Sequence, residues 1–184
     1  MGTLVISYFS GNRHTARLAE TIAAAAVESG CDTRLVDVAA MTEADWLALD
    51  TADAILFGTP TYMGSAAAEF KSFMDQTSDR WTDQVWADKL AAGFTVATFP
   101  GGDKLATLIQ LTVFAAQHGM IWVGQDQIGA PVDAANPGIN ASGAWLGLTA
   151  TSSRDKTLMV QSGDLETARR FGGRIARAVH RWSA

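Results

Sequence analysis

The chain has 184 residues, with 14 Lys and Arg against 19 Asp and Glu for a net charge of −5; 48% of its residues are hydrophobic and only 18% are charged. An acidic, weakly charged chain argues against a nucleic-acid surface, which needs clustered Lys and Arg, and its apolar content rules out disorder. The single cysteine, Cys31, excludes an intramolecular disulfide and a CxxC metal site, and no metal is expected.

The length suits one domain over residues 1–184, since domains run at roughly 100–200 residues. Met1-Gly2-Thr3-Leu4-Val5 enters an apolar run with no basic leader, so the expected location is the cytoplasm. In chain order, 3–9 is a nearly continuous apolar run, the mark of a strand buried on both faces. Ser10-Gly11-Asn12 breaks it. Leu18, Ile22 and Ala25/Ala26 then recur at helical spacing until Gly30. A second strand is predicted over 33–38. A short helix follows, with Thr42 as N-cap and Asp45 completing a capping box.

The third strand, 53–58, leads to a helix over 67–77 with Phe70, Phe73 and Met74 on one face. The fourth strand is 91–98. Residues 105–125 carry no formal charge and are long enough to span a bilayer. Gln110, Gln117, His118 and Gly119 interrupt that stretch, which reads as a buried helix over 105–117 and a fifth strand over 121–123, and no membrane span is expected. Residues 124–153 show little periodicity. Leu165, Ala168, Gly172, Ile175, Val179 and Trp182 form one apolar stripe on a final helix. Five strands alternating with helices predict an α/β fold, a parallel sheet with helices on both faces.

In open α/β sheets ligands sit at the carboxyl ends of the strands, and three strand exits here are unusual. Ser10-Gly11-Asn12-Arg13-His14-Thr15 puts hydroxyls, an amide and a glycine at a helix N-terminus, an anion site by its N–H groups and dipole. It is neither a Walker loop nor GxGxxG. Gly58-Thr59-Pro60-Thr61-Tyr62-Met63-Gly64 has a stiff exit, and Tyr62 and Met63 could lie against a ring. Thr98-Phe99-Pro100-Gly101-Gly102 is a third exit of small residues.

Phe57-Gly58-Thr59-Pro60-Thr61, Met74-Asp75-Gln76-Thr77 with Trp81, and Gln117-His118-Gly119-Met120 together resemble the WrbA family of flavodoxin-like NAD(P)H:quinone oxidoreductases. Ser10-Gly11-Asn12 with Thr15 is similar to the flavodoxin phosphate loop. The resemblance implies a flavodoxin-like three-layer sandwich with a five-stranded parallel sheet of order 2-1-3-4-5, and FMN as cofactor. The phosphate would lie on Ser10, Gly11, Asn12, Arg13, His14 and Thr15. The ring would lie against Pro60, Thr61, Tyr62 and Met63, with Val96, Ala97, Thr98, Phe99, Pro100 and Gly101 along its other edge.

The flavin would carry the chemistry, with no catalytic side chain expected. NAD(P)H would be co-substrate, a small quinone the acceptor, and Trp81, Gln117 and His118 the substrate-side residues. In the family the tryptophan matching Trp81 comes from a neighbouring subunit, so a homo-oligomer, dimer or tetramer, is implied. The alternative is a flavodoxin-type electron carrier without its own NAD(P)H activity. Three departures stand out: Phe99-Pro100 replaces a Gly/Thr run, Gln117 replaces a histidine, and the segment from Asp37 to Asp53 is short. Read as single residues, His118 is a helix-end histidine favoured by the dipole, and His180 is a surface residue.

Overall fold

A computed structural model describes residues 2–153, 155 and 157–182. Its elements are β1 (Thr3–Tyr8), α1 (His14–Glu28), β2 (Asp32–Asp37), a 3-10 turn, α2 (Glu43–Thr51), β3 (Ala54–Tyr62), β4 (Ser65–Ala66), α3 (Ala68–Gln76), α4 (Ser78–Thr82), β5 (Leu90–Ala97), α5 (Lys104–Gln117), β6 (Ile121–Trp122), β7 (Leu148–Thr151) and α6 (Ser162–Trp182). The sheet runs β2-β1-β3-β5-β6, and these neighbours pair in parallel. This is the expected flavodoxin-like order, with one change. The fifth position is shared: β6 pairs with the start of β5 at Leu90 and Ala91, and β7 pairs, also in parallel, with its end from Phe94 to Ala97.

Residues 123–147 therefore leave the sheet and return to it, within the stretch where the sequence shows no periodicity. Gly147 permits the return, because a Cβ there would lie 2.3 Å from the Gly93 carbonyl oxygen on β5.

Alternation on the central strands builds two cores. Leu4, Ile6, Leu56 and Phe94 face α1 and α6. Val5, Ile55, Phe57 and Ala91 face α2, α3 and α5. The box predicted at Thr42 is present, since Thr42 Oγ1 accepts from Asp45 N and Asp45 accepts from Thr42 N. Residues 105–125 form a buried-sided helix and a short strand, and among the described residues no helix is long and apolar enough to cross a membrane.

On α6 the stripe holds at Ala168, Gly172, Ile175 and Val179, but Trp182 is exposed. The last turn of α6 runs past the edge of the core, so periodicity alone places Trp182 wrongly.

Gly172 is where α6 meets α1 backbone to backbone, as a Cβ would sit 2.4 Å from the Ile22 carbonyl oxygen. Gly172→Ala is expected to cost roughly 1–3 kcal/mol by overpacking. Next to it, a Cβ on Gly173 meets only side-chain atoms at 3.4 Å. Gly173→Ala is therefore expected to be neutral or to stabilise by up to about 1 kcal/mol through helix propensity. Urea unfolding of the two variants side by side checks the contrast.

Candidate functional site

The exits of β1, β3 and β5 converge on one cleft at the carboxyl ends of the strands, where the strand order reverses between β1 and its neighbours. The first wall is the turn into α1. Arg13 occupies the N-cap with φ 64, and its side chain gives no cap. Ser10 stands in, its Oγ accepting from Ala16 N at 3.1 Å. Thr15 is buried beneath the turn. The N–H groups of a helix's first turn have no intrahelical acceptor. Ser10, Gly11, Asn12, His14 and Thr15 all line the cleft, whereas Arg13 turns outward toward Glu20 at 3.4 Å. Among the described residues no Lys or Arg lines the cleft, and hydroxyls, an amide and the helix dipole are what they offer an anion there.

The second wall extends β3 into a hairpin. Thr61 and Tyr62 pair with Ala66 and Ser65 across a two-residue turn in which Met63 (φ 49) and Gly64 (φ 82) are both left-handed, the geometry of a type I′ turn. The hairpin is fixed from below: Ala67 N donates to Thr59 Oγ1 at 3.1 Å, and Ala66 N to Gln110 Oε1 at 3.0 Å. The Thr61 hydroxyl lies 2.8 Å from both Thr95 and Thr107 hydroxyls, so that side chain is held within the protein. Pro60, Thr61 and Tyr62 line the cleft. The Tyr62 hydroxyl reaches across to the first loop, where a Cβ on Gly11 would be 2.6 Å from it. Met63 is fully exposed at the hairpin tip and does not line the cleft.

The third wall is Val96, Ala97 and Thr98 at the end of β5. Phe99 is exposed, and Pro100 and Gly101 border a neighbouring cleft instead. One lining residue escaped the sequence reading. Ser152 follows β7, and a four-residue strand after a Gly- and Ser-rich stretch leaves no periodic signal. One end of the cleft thus offers hydroxyls, an amide and a helix N-terminus, and the other offers Pro60, Tyr62 and Val96. That chemistry suits an anion joined to a flat, largely apolar body.

Trp81, Gln117 and His118 also come together, around a different cleft shared with Lys71 and Met74. It lies at the far end of α5, whose 14 residues span about 21 Å at 1.5 Å per residue. Within one chain these residues are therefore remote from the three loops.

His118 is at the helix end as expected, the C-cap of α5, but it is buried there. It is 1% exposed, its ring lies 4.6 Å from the Trp86 ring and 4.9 Å from that of Phe114, and burial lowers its pKa from 6.5 to about 4. The Thr77 hydroxyl donates its one hydrogen to the Met74 carbonyl at 2.7 Å, so at 2.9 Å His118 Nε2 donates to Thr77. That tautomer leaves Nδ1 as a bare lone pair, buried and without a partner among the described residues. His180 is exposed as expected, with Nε2 3.1 Å from the Ser29 carbonyl oxygen.

Residues 4–135 match the family described as NADPH-dependent FMN reductase. A protein named flavodoxin FldP, from Pseudomonas aeruginosa (strain UCBPP-PA14), is 40% identical over 182 residues, covering 96% of each chain. An NAD(P)H dehydrogenase (quinone) of Archaeoglobus fulgidus is 30% identical over 129 residues, which cover 70% of this chain and 60% of that one. The crystal structure of a flavodoxin, WrbA-like protein from Agrobacterium tumefaciens superposes with a TM-score of 0.77 at 36% identity, over 98% of this chain and 99% of that one.

Proposed function

The chain belongs to the NADPH-dependent FMN reductase family, and from that premise we propose that it binds FMN in the cleft of the three loops and passes electrons from NAD(P)H to a quinone. The observation that carries the reading is the meeting of three separate strand exits, at residues 10–15, 60–62 and 96–98, around one anion-and-ring cleft. The residues present fit the group. The first turn of α1, with Ser10, Asn12 and Thr15, would hold the phosphate. Tyr62 and Pro60 on one side and Val96 to Thr98 on the other would flank the ring. The Thr61–Thr95–Thr107 hydroxyl chain keeps the second wall rigid against the third, which pre-orders the site.

Bound FMN would supply the two-electron chemistry. The chain's part is to position the ring, close off one face of it and leave the other open to nicotinamide and quinone in turn. Among the described residues no group of three or more His, Cys, Asp and Glu could hold a metal.

Self-association would complete the substrate side. The outward positions of α5 include Leu105, Ile109 and Val113, spaced by four, with Ala106, Ala116 and Gln117 beside them, and none is charged. The helix's one charged residue, Lys104, is buried. Large apolar faces of this kind mark interaction sites. A two-fold axis through the middle of α5 would pair two copies antiparallel. Leu105 and Phe99 of each copy would then stand beside the end of the other that carries Trp81, Gln117 and His118. That supports a partner's Trp81 reaching the rim of the cofactor cleft. Ile109→Glu is expected to leave a 19.5 kDa species in light scattering and to lower quinone turnover at unchanged FMN content. Wild-type protein that already runs as that monomer would refute the pairing.

A carrier role has one observation in its favour, the name flavodoxin on the relative 40% identical to this chain. Steady-state oxidation of NADH and NADPH with benzoquinone separates the two readings. Sustained turnover is expected here, and FMN-loaded protein that turns over with neither nucleotide would be a carrier.

A further inference from the structure

Beside the cofactor cleft, across Pro100 and Gly101, lies a second cleft of about 330 Å³. The excursion 123–147 builds its outer wall. Leu105, Leu108, Trp145 and Leu146 make the lining apolar, and Lys104 and Thr149 add polar groups. This volume is typical of small-molecule sites. The wall is pre-ordered. Asn140 Oδ1 accepts from Ala144 N at 3.0 Å, the Trp145 carbonyl accepts from Gln125 N at 2.9 Å, and Trp122 Nε1 donates to the Leu146 carbonyl at 2.7 Å. Against that fixed backbone the Trp145 side chain is 56% exposed, an indole presented at the mouth.

Lys104 is 3% exposed and occupies the first turn of α5. A cation there opposes the helix dipole. Its Nζ donates to the Ala150 carbonyl at 3.1 Å and to Thr151 Oγ1 at 3.2 Å. An ammonium has three hydrogens, so the third has no acceptor among the described residues. Asp164, which accepts from Thr151 N at 2.7 Å, supplies a nearby negative charge without bonding the amine directly. The N-cap of α5, Asp103, gives no side-chain cap. A buried lysine with two of its three hydrogens bonded, a helix N-terminus without a side-chain cap and apolar walls thus border one cleft.

We propose that this cleft is a second ligand site, distinct from the cofactor cleft, for a flat aromatic carboxylate of one or two rings. The carboxylate would accept from Lys104 at the N-terminus of α5, and the ring would lie between Trp145 and the leucines. The inference does not rest on the flavin reading. Calorimetric titration of FMN-saturated protein with 2-naphthoate and with 2-naphthamide tests it. Naphthoate is expected to bind with a submillimolar Kd and the neutral amide about tenfold or more weakly. Ala144→Trp, which fills the cleft from its rim, is expected to abolish naphthoate binding while FMN content stays that of wild type. Lys104→Met is expected to bring the acid down to the level of the amide. If Lys104→Met does not fold, the acid–amide ratio and Ala144→Trp decide alone. Equal binding of acid and amide, naphthoate binding that survives Ala144→Trp, or no binding of either compound would overturn the proposal.

Discussion

Asn12→Asp is expected to lose FMN at least a hundredfold while keeping whatever affinity the protein has for riboflavin. Asn12 is exposed on the turn before α1 and lines the cleft where the phosphate would lie, so the change leaves the fold untouched and adds only charge. Two unit charges about 4 Å apart repel by about 4 kcal/mol at an effective dielectric of 20. Solvent at an open loop reduces that, and roughly 2.7 kcal/mol already corresponds to a hundredfold. Riboflavin lacks the phosphate and should not register the new carboxylate. Equilibrium titration of the flavin-free protein with both compounds reads the ratio. Equal losses for FMN and riboflavin would place the phosphate elsewhere. Arg13→Ala, by contrast, is expected to change FMN affinity little, because that side chain is 73% exposed and directed to Glu20.

The second large effect concerns acid. His118 is neutral in the fold, with its pKa lowered to about 4 from 6.5 by burial. A depressed histidine favours the folded state fully above about pH 6.5. Below that the unfolded chain takes up a proton that the folded chain refuses, so stability falls until about pH 4, where both are charged. A depression of that size corresponds to on the order of 3 kcal/mol. The cause is local, since charging the ring would place a proton on Nδ1, which faces no acceptor among Trp86, Phe114 and Thr77. Urea unfolding at pH 7 and pH 4 should show that loss in the wild type, on top of whatever the carboxylates contribute. His118→Phe, with nothing to titrate, should lose less by about that amount, although it begins weaker at pH 7 for want of the Thr77 bond. Identical pH dependence in the two proteins would refute the buried, neutral assignment.

These two cases mark what was legible in the sequence. Strand exits can be read because a continuous apolar run followed by Ser-Gly-Asn or Thr-Pro-Thr is a local signal, and Ser10, Asn12, Thr15, Pro60, Thr61, Tyr62 and Val96 to Thr98 all come to the cleft. Direction cannot be read in the same way. Arg13, Met63 and Phe99 sit in those loops yet point to solvent; at Arg13 and Met63 a left-handed backbone turns the side chain away within one position.

Ser152 and the fifth-position strand β7 were hidden for a different reason. A four-residue strand paired to β5 by long-range contact carries too short a pattern to stand out from a loop. His118 was legible as a residue after a helix but not as a buried one, since only tertiary packing brings Trp86 and Thr77 against it. Lys104 passed unnoticed because a charged residue at a helix start reads as solvent-facing, and its burial depends on the return of β7. The uncharged face of α5 was visible as a charge-free stretch of sequence; its place on the outside of the molecule was not.

Anaerobic addition of NADPH to FMN-saturated protein, followed by benzoquinone, tests the central claim most directly. The flavin's visible absorption band should bleach stoichiometrically with the nucleotide and return on adding the quinone. Protein that binds no FMN on titration, or a bound flavin whose band neither NADPH nor NADH bleaches, would contradict it.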